Sequence, residues 1–321
     1  SDVCSSDLFA SLSKGIKNAI PFAGVNSYDT CIITHSEQKS QELQKYQSHG
    51  YIGVYYWSHA VIAQDWFRFA QHDPVLASPR VPSVDFLIYN RAWSGTREYR
   101  VRFAEMLLDA NLEQHCCTNF NPTDQGQHWL SHNFLNEKFR PQRQDLDRFF
   151  LPTSVDSTAS ADYVAADYCN SRIEVVLETL FDDNRNHLTE KTLRPIACQQ
   201  PFIIAATPGS LEYLRSYGFK TFAPYIDETY DCINDPIQRL TAIVKEMQRI
   251  AGLSAQEKAQ LLENVQEIVK HNHQLFFSQD FLNKIVNEYK KNFEDAIVVL
   301  KQNQNSIVAN TLRTFIEQNY K

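Results

Sequence analysis

Four places in the chain set charged or hydroxyl side chains directly behind short apolar runs. Thr189, Glu190, Lys191 and Arg194 stand at a helix start between two such runs. Asn90 and Arg91 follow the run Asp85–Tyr89, and Arg97 lies just inside the helix opened by Ser94, Gly95 and Thr96. His35, Ser36 and Glu37 follow Thr30–Thr34, while Ser58 and His59 follow Tyr51–Trp57. In an open parallel sheet, ligands bind beyond the carboxyl ends of the strands. Helix starts there offer unpaired N–H groups, which suit anions.

Arg97 is the most informative of these residues. A cation in the first turn meets the positive end of the helix dipole, an unfavourable effect of roughly 0.3–1 kcal/mol that a bound phosphate would reverse. The planar guanidinium fork also matches phosphate oxygens. The alternative is an arginine turned to water or paired with Glu98 or Glu105. Arg91 adds a second cation, whereas Arg100 and Arg102 read as a solvated face. Thr189 as N-cap with Glu190 in the first turn is ordinary helix chemistry. That chemistry does not explain Lys191. Pro195 costs about 3 kcal/mol inside a helix, so the helix is short, kinked or irregular there.

These residues need a scaffold of alternating elements. Thr30–Thr34, Tyr51–Trp57, Asp85–Tyr89, His115–Phe120, Arg172–Leu177, Pro201–Ala206 and Phe219–Phe222 read as strands. A helix capped by Ser58 would turn Val61, Trp66 and Phe69 inward, and another would bury Tyr99, Phe103, Met106, Leu107 and Ala110. The segment His187–Cys198 reads as a helix capped by Thr189, and Ser210 caps the next, which Gly218 ends. Pro74, Pro79 and Pro82 mark a linker. Beyond Asp235-Pro236 the pattern is helical throughout, with Gly252 as a stop and Ser254 with Glu257 as a capping box. Near-continuous apolar strands alternating with helices specify an α/β fold with a parallel sheet covered on both faces.

Composition narrows the classes. The 321 residues carry 31 Lys+Arg and 38 Asp+Glu, a formal charge of −7, which argues against non-specific nucleic-acid binding. No apolar run approaches the roughly 20 residues of a membrane span. Seven cysteines without a CxxC pattern read as reduced thiols of a cytoplasmic protein. Ser1–Leu8 resemble a translated sequencing adapter, so the N-terminal domain is expected to be truncated. His128 and His132 near Cys116 and Cys117 are a weak zinc signal, and no metal site is assigned. Asp182-Asp183 reads as a turn, Asp145 and Asp147 as helix surface, and His271 and His273 as solvated.

The run from Glu178 to Ile204, with Thr189-Glu190-Lys191 at a helix start and a buried strand behind it, resembles the donor-binding segment of GT-B glycosyltransferases. It is most similar to the α1,3-fucosyltransferase family. The stretch from Pro208 through Gly218-Phe219-Lys220 to Asp231 resembles glycosyltransferase-like sequences of tailed viruses and environmental samples. The resemblance implies two Rossmann-like domains with a helical C-terminal extension. The boundaries are 9–74 for the truncated first domain, 75–83 for the linker, 84–252 for the nucleotide-sugar domain and 253–321 for the extension. It further implies that Glu190 and Lys191 contact the ribose and phosphates and that Arg97 neutralises the diphosphate, with Arg91, Thr189 and Arg194 beside them. The expected activity is metal-independent sugar transfer, without a cofactor other than the nucleotide-sugar co-substrate, to an unknown acceptor (glycan, protein or modified base). His35 and Glu37 are the base candidates, with His59 third. The alternatives are a non-catalytic nucleotide- or glycan-binding protein and a viral structural or assembly protein. Pro195 departs from the family pattern, and nothing before residue 74 aligns with an acceptor domain.

Overall fold

Phe86–Ile88, Val175–Leu177 and Phe202–Ala205 are apolar because they are buried on both faces of a sheet. The computed structural model describes residues 32–35, 52–90, 92–118, 121–146 and 162–302, with 310, 313, 314, 317 and 318. The elements are β1 (Ile32–His35), β2 (Ile52–Tyr55), α1 (Ser58–Trp66), β3 (Val84–Ile88), α2 (Tyr99–Asp109), β4 (Cys116–Thr118), β5 (Thr123–Asp124) and β6 (Gln127–His128). There follow α3 (Ala165–Asn170), β7 (Ser171–Leu177), α4 (Glu190–Ala197), β8 (Phe202–Ala205), α5 (Ser210–Ser216), α6 (Pro236–Ala251), α7 (Ala255–Phe276) and α8 (Gln279–Gln302).

Two compact units result, one of Ser1–Ser58 with Leu282–Lys321 and one of His59–Phe281. The division does not fall at the prolines. Segment 75–83 instead packs on the larger unit: Leu76 is buried, Ser83 N–H donates to Asn170 O, and Arg80 donates to Gln200 and to the Cys198 carbonyl. In the smaller unit β1 and β2 pair in parallel, with Ile32 opposite Ile52 and His35 opposite Tyr55. Ile52 and Val54 of β2 pack against Phe293, Ala296 and Ile297, so α8 covers β2.

The larger unit holds a four-stranded parallel sheet in the order β4-β3-β7-β8. Asp85 fastens its amino end. The carboxylate takes Arg172 at 3.0 Å, Lys258 of α7 at 2.8 Å and His115 Nδ1 at 2.7 Å. Helix starts follow their caps. Asp235 accepts from Gln238 N–H with Pro236 behind it, and Ser254 and Glu257 form the reciprocal capping box.

Several places differ from the sequence reading, among them α5, whose N-cap is Gly209 and whose first residue is Ser210. In α1 the buried side chains are Ala60 and Ala63, whereas Val61 and Trp66 are exposed, as is Phe69 beyond it. Small residues let this helix approach its neighbours closely. Phe219–Phe222 is not a strand. Gly218 turns through φ +100°, and the Asn272 side chain of α7 both donates to Lys220 O and accepts from Lys220 N–H, each at 2.8 Å. At the β8 edge Ile204 N–H instead donates to the Tyr230 hydroxyl. His273 is also not solvated, since its Nδ1 lies 3.0 Å from Ala197 O.

Asp231 is 7% exposed and accepts the Leu211 N–H at the start of α5, yet burial outweighs its hydrogen bonds and pushes its carboxyl from 3.8 up to about 6. The folded state therefore holds this proton more tightly than the unfolded chain does, and stability falls as pH rises between these two values. Urea unfolding of wild type and Asp231→Asn from pH 4 to 7 should show the difference between them changing by about 2 kcal/mol in favour of the variant.

Candidate functional site

The strand order reverses between β3 and β7: the chain leaves β3 for β4 on one side and returns to β7 on the other. Carbonyls at the two diverging carboxyl ends lose their ladder partners there, which makes the crevice a natural ligand site. In this protein Arg100 fills its floor. The guanidinium donates to Ala92 O at 2.7 Å, Leu177 O at 2.6 Å, Glu178 O at 3.0 Å and Asn90 Oδ1 at 3.3 Å. Arg100 is 2% exposed, so the solvated face read from the sequence is corrected. Tyr99 stacks on Phe181 and donates its hydroxyl to Glu178 O, and burial pushes that hydroxyl up to about 12.

Glu178 directly follows β7 and braces the start of α4. Its fully buried carboxylate accepts Thr189 N–H at 2.9 Å, Thr189 Oγ1 at 2.8 Å, Thr192 Oγ1 at 2.6 Å and Thr179 N–H at 3.2 Å. Thr189 is the N-cap, as its spacing predicts, and accepts from Lys191 N–H. A carboxylate of the chain therefore braces the N-cap residue of α4 from inside.

Beyond this cap lies a charged cluster. Lys191 Nζ donates to Glu190 Oε1 at 2.6 Å and to Thr189 Oγ1 at 3.3 Å. The other Glu190 oxygen is 3.6 Å from His59 Nδ1, and His187 meets the His59 ring edge-on at 5.0 Å. Burial alone would raise the Glu190 carboxyl. The charge of Lys191, with His59 beside it, outweighs it and holds the group well below the usual carboxylate range. The structure thus brings together Thr189, Glu190, Lys191 and His59.

The other predicted residues have separate partners. Arg97 ends the single helical turn Gly95–Arg97, is 7% exposed, and donates through Nε to Ser94 O. At the head of that turn Asp124 accepts Trp93 N–H at 2.8 Å and Ser94 N–H at 2.7 Å. Arg194 is turned into the core: it donates to Glu174 Oε1 at 2.7 Å and Tyr168 Oη at 3.0 Å, and it lies over the Tyr89 ring. His35 is the last residue of β1, while Glu37 and Arg91 lie outside the described residues.

The sequence reading missed Arg100, Glu178 and Asp124. Glu178 left one signal, an acid directly behind a run of buried apolar residues, where water cannot reach it. His132 is not a metal ligand candidate in place, because its Nε2 meets Glu98 at 2.8 Å. Among the described residues no group of three or more His, Cys, Asp or Glu is placed to hold a metal ion, and no helix is long and apolar enough to cross a membrane.

Glu178→Ala would strand four donors around one buried spot. A loss of about 3 kcal/mol is expected in urea unfolding, with Glu178→Gln intermediate because it keeps one acceptor.

Comparison with known proteins adds no relative. No family model, no curated protein and no solved structure matches the chain.

Proposed function

We propose that the unit His59–Phe281 binds the diphosphate of a nucleotide sugar at the carboxyl edge of its sheet, and that the chain transfers the sugar to an acceptor. In this reading the chain has the two-domain GT-B plan, with β1 and β2 belonging to the first Rossmann-like domain. The observation that carries it is Lys191. This partly exposed ammonium stands in the first turn of α4, behind a parallel strand next to the point of order reversal. Negative charge grows on a departing diphosphate in the transition state, and a fixed cation there lowers the barrier.

The geometry also says how such a site would differ from a phosphate loop. Glu178 and Asp124 already accept the N–H groups of Thr189 and of Trp93 and Ser94, just before the two helix starts, so side-chain cations would supply the charge that meets the phosphates. Lys191 serves α4, and Arg91 and Arg97 serve the loop behind β3. The same built-in carboxylates favour a second reading, a nucleotide- or glycan-binding module that performs no transfer.

Calorimetry of the full chain with UDP and with GDP, in EDTA, tests the proposal. One nucleotide should bind, and Lys191→Ala should weaken it at least tenfold, about 1.4 kcal/mol. Heat from neither nucleotide would overturn the reading. Binding with no release of nucleoside diphosphate from any UDP- or GDP-sugar would favour the non-catalytic module.

A further inference from the structure

We infer that His59 is the acid–base group of this site and that Glu190 is the residue that positions it, an assignment that rests on the transferase reading above. His59 is the second residue of α1, and its Nδ1 faces the Glu190 carboxylate at 3.6 Å. Glu190 is itself fixed: its side chain is 8% exposed, and Lys191 Nζ holds its second oxygen at 2.6 Å. His59 keeps 28% of its side chain open, and His187 stands perpendicular to the ring at 88°. An imidazole with one nitrogen facing a buried carboxylate and part of its ring open to solvent suits a proton-transfer group. Contacts of this kind tighten when the substrate is bound.

The environment of Glu190 supports the same assignment. Lys191 and His59 keep the carboxylate ionised despite its burial, so a negative charge waits beside the ring. In the neutral imidazole, Nδ1 carries the proton towards Glu190, and Nε2 holds the free lone pair. Nε2 takes the proton of the acceptor hydroxyl as that oxygen bonds to the anomeric carbon. The bond from this carbon to the diphosphate oxygen breaks, and its electron pair leaves on the nucleoside diphosphate. Lys191, one residue from Glu190, meets that charge, and Glu190 balances the new imidazolium. One helical turn thus serves the leaving group and the proton acceptor together. This assignment replaces His35 and Glu37 as the base.

The test uses the full chain, a panel of UDP- and GDP-sugars with water as acceptor, and two readouts. Nucleoside diphosphate release gives turnover, and calorimetry gives the affinity for the free nucleotide. His59→Gln should lower turnover by about 10²–10⁴-fold while nucleotide affinity stays within threefold. Glu190→Gln should lower turnover less than His59→Gln does. Long-range ¹H–¹⁵N spectra of histidine-labelled protein should place the neutral His59 proton on Nδ1 in wild type and lose that preference in Glu190→Ala. Unchanged turnover in His59→Gln with nucleotide still bound would overturn this assignment and leave the transferase reading standing, as would a proton on Nε2 in wild type. Failure of wild type to bind either nucleotide would remove both.

Discussion

Buried and half-buried carboxylates that accept backbone N–H groups hold the larger unit in shape. Glu98 takes Leu135 and Asn136, Glu105 takes Gln142 and Arg143, Asp124 takes Trp93 and Ser94, and Glu228 takes Phe222. Residues 121–146 contain only a two-residue hairpin and single helical turns, so their amides have few ladder partners. Each buried amide left without a partner would cost about 1–3 kcal/mol. Two acids at or near the start of α2 and within it supply what the missing secondary structure does not. The irregular segment is thereby tied to a rigid helix, and it lies beside the carboxyl end of β3 through Asp124 and Trp93.

The same device shapes the candidate site. Glu178 neutralises the head of α4 from inside, and Arg100 supplies donors to the strand-end carbonyls from below. The fold's own side chains thus satisfy both charged features of the order-reversal point. What remains partly open is Lys191 and His59, each beside the buried Glu190. A ligand there would meet the Lys191 ammonium and the His59 imidazole, and its recognition would depend on charge more than on backbone shape.

Local chemistry was largely readable from the residues. Asp235-Pro236, the Ser254–Glu257 box and the Thr189 cap act through neighbours within four positions, and the structure has all three. Strand positions were readable too, because burial on two faces demands continuous apolar runs. What escaped depends on distant partners. Arg100 meets carbonyls 77 and 78 positions away, so spacing along α2 says only that its neighbours are polar. The inward face of α1 was misread because alanines carry little hydrophobic signal, while Trp66 and Phe69 carry much. Phe219 and Phe222 are buried as a strand would bury them, but a side chain of α7 took the place of a neighbouring strand.

The Tyr230 hydroxyl on Ile204 has a consequence outside the site. Every residue of β8 is buried, and the amide at its middle is bonded by a phenol instead of a fifth strand. A sheet whose last strand lies open invites another chain to zip onto it. With that border bolted by an aromatic side chain and covered over, recruitment of foreign or sister chains along β8 is discouraged. At this border the sheet is closed to the self-templating that an open edge strand invites.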